Sequence, residues 1–248
     1  MKTYVDLIED TENTWDFPDD ENSYIDTQYV DGEKVEYEIV FGNEKIVFIK
    51  AGAGGNVRGY DNKYLKMARR VHERLGATVI CASNPVAPHE DLDEAEIRWV
   101  IAEKGLSNFE ISFIGASDGA YHNLSLASRF PETVKWIGIN TSYINVPDLK
   151  KRLLSSPNVY KILIYGTKDD DFNEVVPAIS EITSDNLLLE LVEGADHCFS
   201  NMLPEFIQTI DLIYNEDMDM GKDVYKGAPA LDPELEYEGI EELTQNEN

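Results

Sequence analysis

The sequence predicts an α/β domain: a mostly parallel sheet with an antiparallel hairpin at its front and helices on both faces. Three observations carry this expectation. Between residues 45 and 214, apolar runs of strand length alternate with amphipathic stretches of helical period. The later runs, such as "EISFIG" and "KILIYG", are apolar without alternation, as in parallel strands covered on both faces. Ahead of them, "TQYVDGEKVEYEIV" sets Asp31-Gly32 between two alternating segments, a strong signal for a two-residue hairpin turn.

Taken in order, "VEYEIVF" and "KIVFIK" read as strands with Gly42-Asn43 as the turn between them. "NKYLKMARRVHERLG" places Tyr64, Leu65, Ala68, Val71 and Leu75 on one helical face and stops at Gly76. Strand "ATVICAS" follows, then helix "DLDEAEIRWVIAEKG", then strand "EISFIG". "GAYHNLSLASRF" reads as a helix that ends before Pro131, and "KWIGIN" as the next strand. A short helical piece, "VPDLKKRLLSS", precedes the strands "KILIYG" and "NLLLELVE". "LPEFIQTIDLIY" closes the series as a helix with Pro204 in its first turn.

Charge divides the chain. Residues 1–26 hold nine acids against one Lys and residues 216–248 eleven against two, so most of the net charge of −27 lies at the ends. The expected organisation is an acidic N-terminal extension (1–26), one folded domain (27–215) and an acidic, aperiodic C-terminal tail (216–248). A phosphate backbone needs a basic footprint, so nucleic acid is not an expected partner, and anionic membrane surfaces are disfavoured for the same reason. The first fifteen residues carry acids where a secretory leader needs an apolar stretch. No apolar run approaches the roughly 18 residues of a membrane span. A soluble, cytoplasmic protein is the expectation. Cys81 and Cys198 make neither a disulfide framework nor a metal set, and both read as packing residues. No metal or other cofactor is expected.

In an open parallel sheet, reactive groups gather beyond the C-terminal ends of the strands. After "KIVFIK" stands "AGAGGN", after "EISFI" stands "GASDG", after "KILIY" stands "GTKDDD", and after "NLLLELVE" stands "GADHCF". A glycine-rich backbone segment, a serine, an acid and a histidine therefore occupy four strand ends, with the chemistry-bearing side chains in the order Ser, Asp, His. The glycine-rich segment lacks the Lys-Ser/Thr of a phosphate-binding loop, and its glycines miss the dinucleotide spacing.

With these residues the chain, from about Val35 to Tyr214, resembles the α/β-hydrolases. The family's Gly-x-Ser-x-Gly nucleophile elbow is matched by Gly115, Ser117 and Gly119, after a strand and before a helix. The resemblance implies Ser117 as nucleophile, His197 as base, and Asp169 as the acid by the spacing Gly-x-x-Asp from Gly166; Asp171 is the alternative acid, with Asp170 between them. It implies an oxyanion hole from the Asp118 backbone N–H and a donor in "AGAG", Ala53 before Gly54. Residues 140–160 leave room for about one helix, so only a minimal cap is expected. Asp118, beside the nucleophile, is expected to disfavour anionic substrates. The expected function is a serine hydrolase acting on a small-molecule acyl substrate, a carboxylic ester first. An amidase, peptidase or acyltransferase would use the same triad, and a non-catalytic binding module could share the fold.

Overall fold

Asp31 and Gly32 both adopt positive φ, 49° and 84°, the pair of left-handed conformations a type I′ turn requires. They join β1 (Ser23–Val30) to β2 (Glu33–Val40) as an antiparallel pair with Val30 opposite Glu33. The computed structural model describes residues 23–87 and 89–214. Because β1 begins at Ser23, residues 23–26 belong to the sheet and not to the acidic extension. The rest of that extension and the 216–248 tail lie outside the described residues.

The remaining strands are β3 (Asn43–Lys50), β4 (Ala77–Ala82), β5 (Glu110–Ala116), β6 (Thr133–Ile139), β7 (Tyr160–Gly166) and β8 (Leu187–Val192). The sheet order is β1-β2-β4-β3-β5-β6-β7-β8. From β4 through β8 every pairing is parallel, and β2 meets β4 antiparallel. Gly42-Asn43 therefore does not close a hairpin: β2 and β3 are separated by β4, which slots between them. The chain order reverses next to β3, so the ends of β3 and β5 border a switch point where an α/β sheet opens a crevice.

Among the described residues, six α-helices cover the sheet: α1 (Lys63–Leu75), α2 (Glu90–Glu103), α3 (Asp118–Ala127), α4 (Val146–Ser155), α5 (Phe172–Ser180) and α6 (Leu203–Gln208). Alternation along β3 sorts the two cores. Val47 and Ile49 face α1 and α6, where Tyr64, Leu65, Ala68, Val71 and Phe206 are buried. Ile46 and Phe48 face α2 to α5. Within residues 140–160, α4 buries Leu149 and Leu153 in the second core, as a crossover helix does. Among the described residues, no helix is long and apolar enough to cross a membrane.

One core position works against folding at neutral pH. Glu190 on β8 lies opposite Ile164 and is buried, and its Oε1 has no hydrogen-bond partner among the described residues. Burial pushes its carboxyl up to about 7. A folded-state value above the unfolded one makes ionisation a cost of folding that grows as pH rises between the two. Glu190→Gln is expected to stabilise the protein by on the order of 1–3 kcal/mol at about pH 8, with a severalfold smaller gain at about pH 5. Urea unfolding at both values reads this; equal gains would show that the charge is not the cause.

Candidate active site

β5 ends at Ala116 and α3 starts at Asp118, leaving Ser117 as the whole corner. Its φ of 53° and ψ of −125° cost a residue with a Cβ about 1–3 kcal/mol, so the surroundings must hold it there. Its N–H donates to Ile139 O at 2.8 Å, and its carbonyl accepts from Ala120 N–H at 3.1 Å. The flanking glycines are needed for close approach. A Cβ on Gly119 would lie 2.0 Å from Ala51 O, and one on Gly115 would lie 2.6 Å from Ala120 N. α3 can therefore seat against the ends of β3 and β5 only without those carbons.

His197 stands in the loop after β8, and Asp169 in the loop after β7. His197 Nε2 is 2.9 Å from Ser117 Oγ, and Nδ1 is 2.7 Å from Asp169 Oδ2. The Asp169 side chain is 1% exposed while that of His197 is 41% exposed, so the series runs from a buried carboxylate to an open imidazole edge. The hydrogen bond to Asp169 raises the His197 pKa above its ordinary 6.5, against burial, which lowers it. Asp171, the alternative acid, turns elsewhere: its backbone N–H donates to Asp169 Oδ1 at 2.8 Å, and its Oδ1 accepts from Tyr143 OH at 3.4 Å. Asp196 shapes the histidine loop by accepting from Cys198 N–H and Ser200 N–H.

The glycine-rich segment after β3 lies against the corner, with the Cβ position of Gly52 3.4 Å from Ser117 Cβ. Its N–H groups are unequally spent. Gly52 N–H donates to Tyr64 OH at 3.3 Å and Gly54 N–H to Asn84 O at 2.7 Å. Ala53 N–H, and Asp118 N–H at the first turn of α3, make no hydrogen bond among the described residues. Of the two loop donors considered from sequence, Gly54 is thus occupied and Ala53 is available.

A comparison with protein-family models finds no match, and neither does one with curated proteins. Solved structures do match. A protein of unknown function from Agrobacterium tumefaciens, described as an α/β hydrolase, superposes with a TM-score of 0.61 at 17% identity, over 77% of this chain and 95% of that one. An α/β serine hydrolase homologue from Coxiella burnetii gives 0.57 at 18% identity, over 77% and 97%. The esterase domain of a Rhodothermus marinus protein gives 0.54 at 14% identity, over 77% and 95%. The chain has the α/β-hydrolase fold.

Within this α/β-hydrolase fold, several positioning residues escape a reading of the sequence. Asn140, at the end of β6 with φ 43°, donates from Nδ2 to the carbonyls of Asp196 and His197, both at 3.0 Å. Its Oδ1 accepts from Gly166 N–H at 2.8 Å. One buried amide thus ties the histidine loop to the end of β7. Its only sequence signal is an Asn directly after an apolar run, a residue that tolerates left-handed backbone. Asn84 pairs with Gly55 across an isolated bridge and donates from Nδ2 to Asp118 Oδ2 at 3.1 Å, joining the glycine-rich segment to α3. Ser142 Oγ lies 2.9 Å from Ser117 Oγ.

The charges around the corner are paired more fully than their sequence positions suggest. Asp118 Oδ2 is 3.0 Å from His122 Nε2, whose Nδ1 is 2.8 Å from Glu90 Oε1. The hydrogen bond from Asp118 raises the His122 pKa, and the same bond lowers that of Asp118. Facing two carboxylates, His122 is favoured in its protonated form, which offsets part of the Asp118 charge. Lys50, fully buried just before the glycine-rich segment, pairs with Asp93 Oδ2 at 2.7 Å and lies 2.8 Å from His89 Nε2. Burial, then Lys50, lowers the His89 pKa. Cys81 is buried as expected, whereas Cys198, whose N–H donates to Asp196 in the turn after β8, is exposed rather than packed. Among the described residues, no group of three or more His, Cys, Asp or Glu side chains could hold a metal ion.

Proposed function

We propose that this protein is a serine hydrolase that cleaves a carboxylic ester through an acyl-enzyme intermediate. One observation carries the proposal: the unbroken hydrogen-bonded series Asp169–His197–Ser117, assembled from three strand ends, with the serine on a strained corner.

The chemistry follows from proton positions. A carboxylate only accepts hydrogen bonds, so the Asp169 contact requires the neutral imidazole to carry its proton on Nδ1. Nε2 is then a bare acceptor for the Ser117 hydroxyl. As Oγ attacks the substrate carbonyl carbon, its proton passes to Nε2, the carbonyl π pair moves onto oxygen, and a tetrahedral oxyanion forms. Ala53 N–H and Asp118 N–H are the free donors for that oxygen, and losing one such donor costs about 2.7–4 kcal/mol elsewhere. The buried Asp169 carboxylate stabilises the imidazolium, which then protonates the departing alkoxide. Water repeats the sequence on the acyl-enzyme. Similarity in fold to an esterase domain supports an ester as the first substrate class to test.

The test is covalent. An alkyl fluorophosphonate, which mimics the tetrahedral intermediate, is expected to add once, on the peptide holding Ser117. Labelling should fail in Ser117→Ala and be greatly slowed in His197→Ala. Because the His197 pKa is raised and only neutral imidazole accepts the serine proton, labelling should fall on acidification with a midpoint above 6.5. A folded wild-type protein that stays unlabelled at neutral pH would overturn the hydrolase reading and favour a binding module. Nitrophenyl esters of graded acyl length, set beside the matching anilides and alcohol acceptors, separate an esterase from an amidase or acyltransferase.

A further inference from the structure

Ser117 Oγ has two polar neighbours, and one proton must be apportioned among them. His197 Nε2 lies at 2.9 Å and Ser142 Oγ also at 2.9 Å. With Nδ1–H directed at Asp169, neutral His197 can only accept at Nε2, so the Ser117 proton is committed there. The contact with Ser142 then requires Ser142 to be the donor. We propose that Ser142 is a further catalytic residue, whose hydroxyl donates to Ser117 Oγ and stabilises the negative charge that develops there during attack and departure.

Ser142 is held for this by its neighbours in the chain. Asn140, directly after β6, is hydrogen-bonded to β7 at Ile164 and Gly166 and to the histidine loop. Thr141 O accepts from the buried Tyr165 OH at 2.7 Å. The donor thus directly follows two pinned residues and needs little reorganisation when charge appears.

The inference rests on the hydrolase reading and adds one electrostatic element to it. When the Ser117 proton moves to Nε2, the Ser142 O–H···Oγ bond becomes charge-assisted and strengthens. Once Oγ has bonded to the acyl carbon it is an ester oxygen, a weaker acceptor, and the bond relaxes. When the second tetrahedral intermediate collapses, electrons return to Oγ, the C–Oγ bond breaks, the imidazolium proton returns to Oγ, and the Ser142 bond tightens again. Ser142 keeps its own proton throughout. An interaction stronger in the transition states than in the states between them raises kcat with little effect on KM. The direction of the bond also depends on His197. Protonated Nε2–H would donate to Ser117, whose own proton would then turn to Ser142.

The test uses a pair of nearly equal shape, Ser142→Thr and Ser142→Val, with Ser142→Ala. The readouts are the second-order rate of fluorophosphonate labelling, kcat and KM on a nitrophenyl ester, and the labelling pH profile. Ala and Val are expected to slow labelling and kcat about tenfold, with KM and the pH midpoint unchanged, as for a lost charge-assisted hydrogen bond. Thr is expected to remain within about twofold of wild type, because it keeps the hydroxyl. Val matching Thr, or all three labelling as fast as wild type, would overturn the role of Ser142 and leave the triad standing. Failure of wild type itself to label would remove both readings.

Discussion

Asp169→Asn is expected to lower kcat on an ester substrate by about 10⁴ while leaving the fold intact. The site dictates how. Asp169 Oδ1 accepts the Asp171 N–H, and Oδ2 faces His197 Nδ1. An asparagine in the same place keeps its oxygen on the Asp171 N–H and turns its NH₂ toward the imidazole. Nδ1 must then accept, the proton moves to Nε2, and Ser117 meets a donor in place of its base. Asp171→Asn is expected to stay within a fewfold of wild type, since the Asp171 side chain meets Tyr143 and not His197. Steady-state kinetics on the two variants decide the assignment, with circular dichroism to verify folding. A dead Asp171→Asn beside an active Asp169→Asn would reverse the roles.

The second large effect is expected at a residue without a side chain. A Cβ on Gly119 would stand 2.0 Å from Ala51 O and 2.9 Å from Lys50 O, both rigid backbone at the end of β3. Neither the strand end nor the first turn of α3 can yield cheaply, because Lys50 is buried in its ion pair with Asp93 and the corner is held by hydrogen bonds to Ser117. Gly119→Ala is therefore expected to cost about 3 kcal/mol or more, by analogy with overpacked cores. For a domain of this size that is a fall in Tm of roughly 6–12 °C. It should also abolish fluorophosphonate labelling, because the shift moves the Asp118 N–H and the Ser117 corner together. Calorimetry and labelling on the same preparation test both. A variant that melts and labels like wild type would show that α3 is not closed on β3 as described.

Much of the fold was legible because its signals are short. Hairpin, strands and helices are written in turn residues and in periods of two and 3.6, each spanning a few neighbours along the chain. The Asp31-Gly32 turn and the helix at Lys63–Leu75 follow that reading closely. Strand neighbours are another matter. β2 and β3 are joined by two residues, yet β4, which follows more than 25 positions later, lies between them. No local pattern specifies that insertion; it follows from how the whole sheet buries its two cores.

The site divides in the same way. By itself the sequence determined that a Gly-x-Ser-x-Gly corner, a group of aspartates and a histidine each follow an apolar run, since each is a contiguous motif with its own conformational demand. Only the tertiary structure decided that Asp169 rather than Asp171 faces His197, and that Ala53 rather than Gly54 keeps its N–H free. The same holds for the Asn140 clamp, the Ser142 hydroxyl on Ser117, and the His122 partner of Asp118. These are contacts between separate loops and helices. Hydrogen bonds act over about 3 Å, and which groups come that close depends on how the strands are ordered and how the helices seat on them.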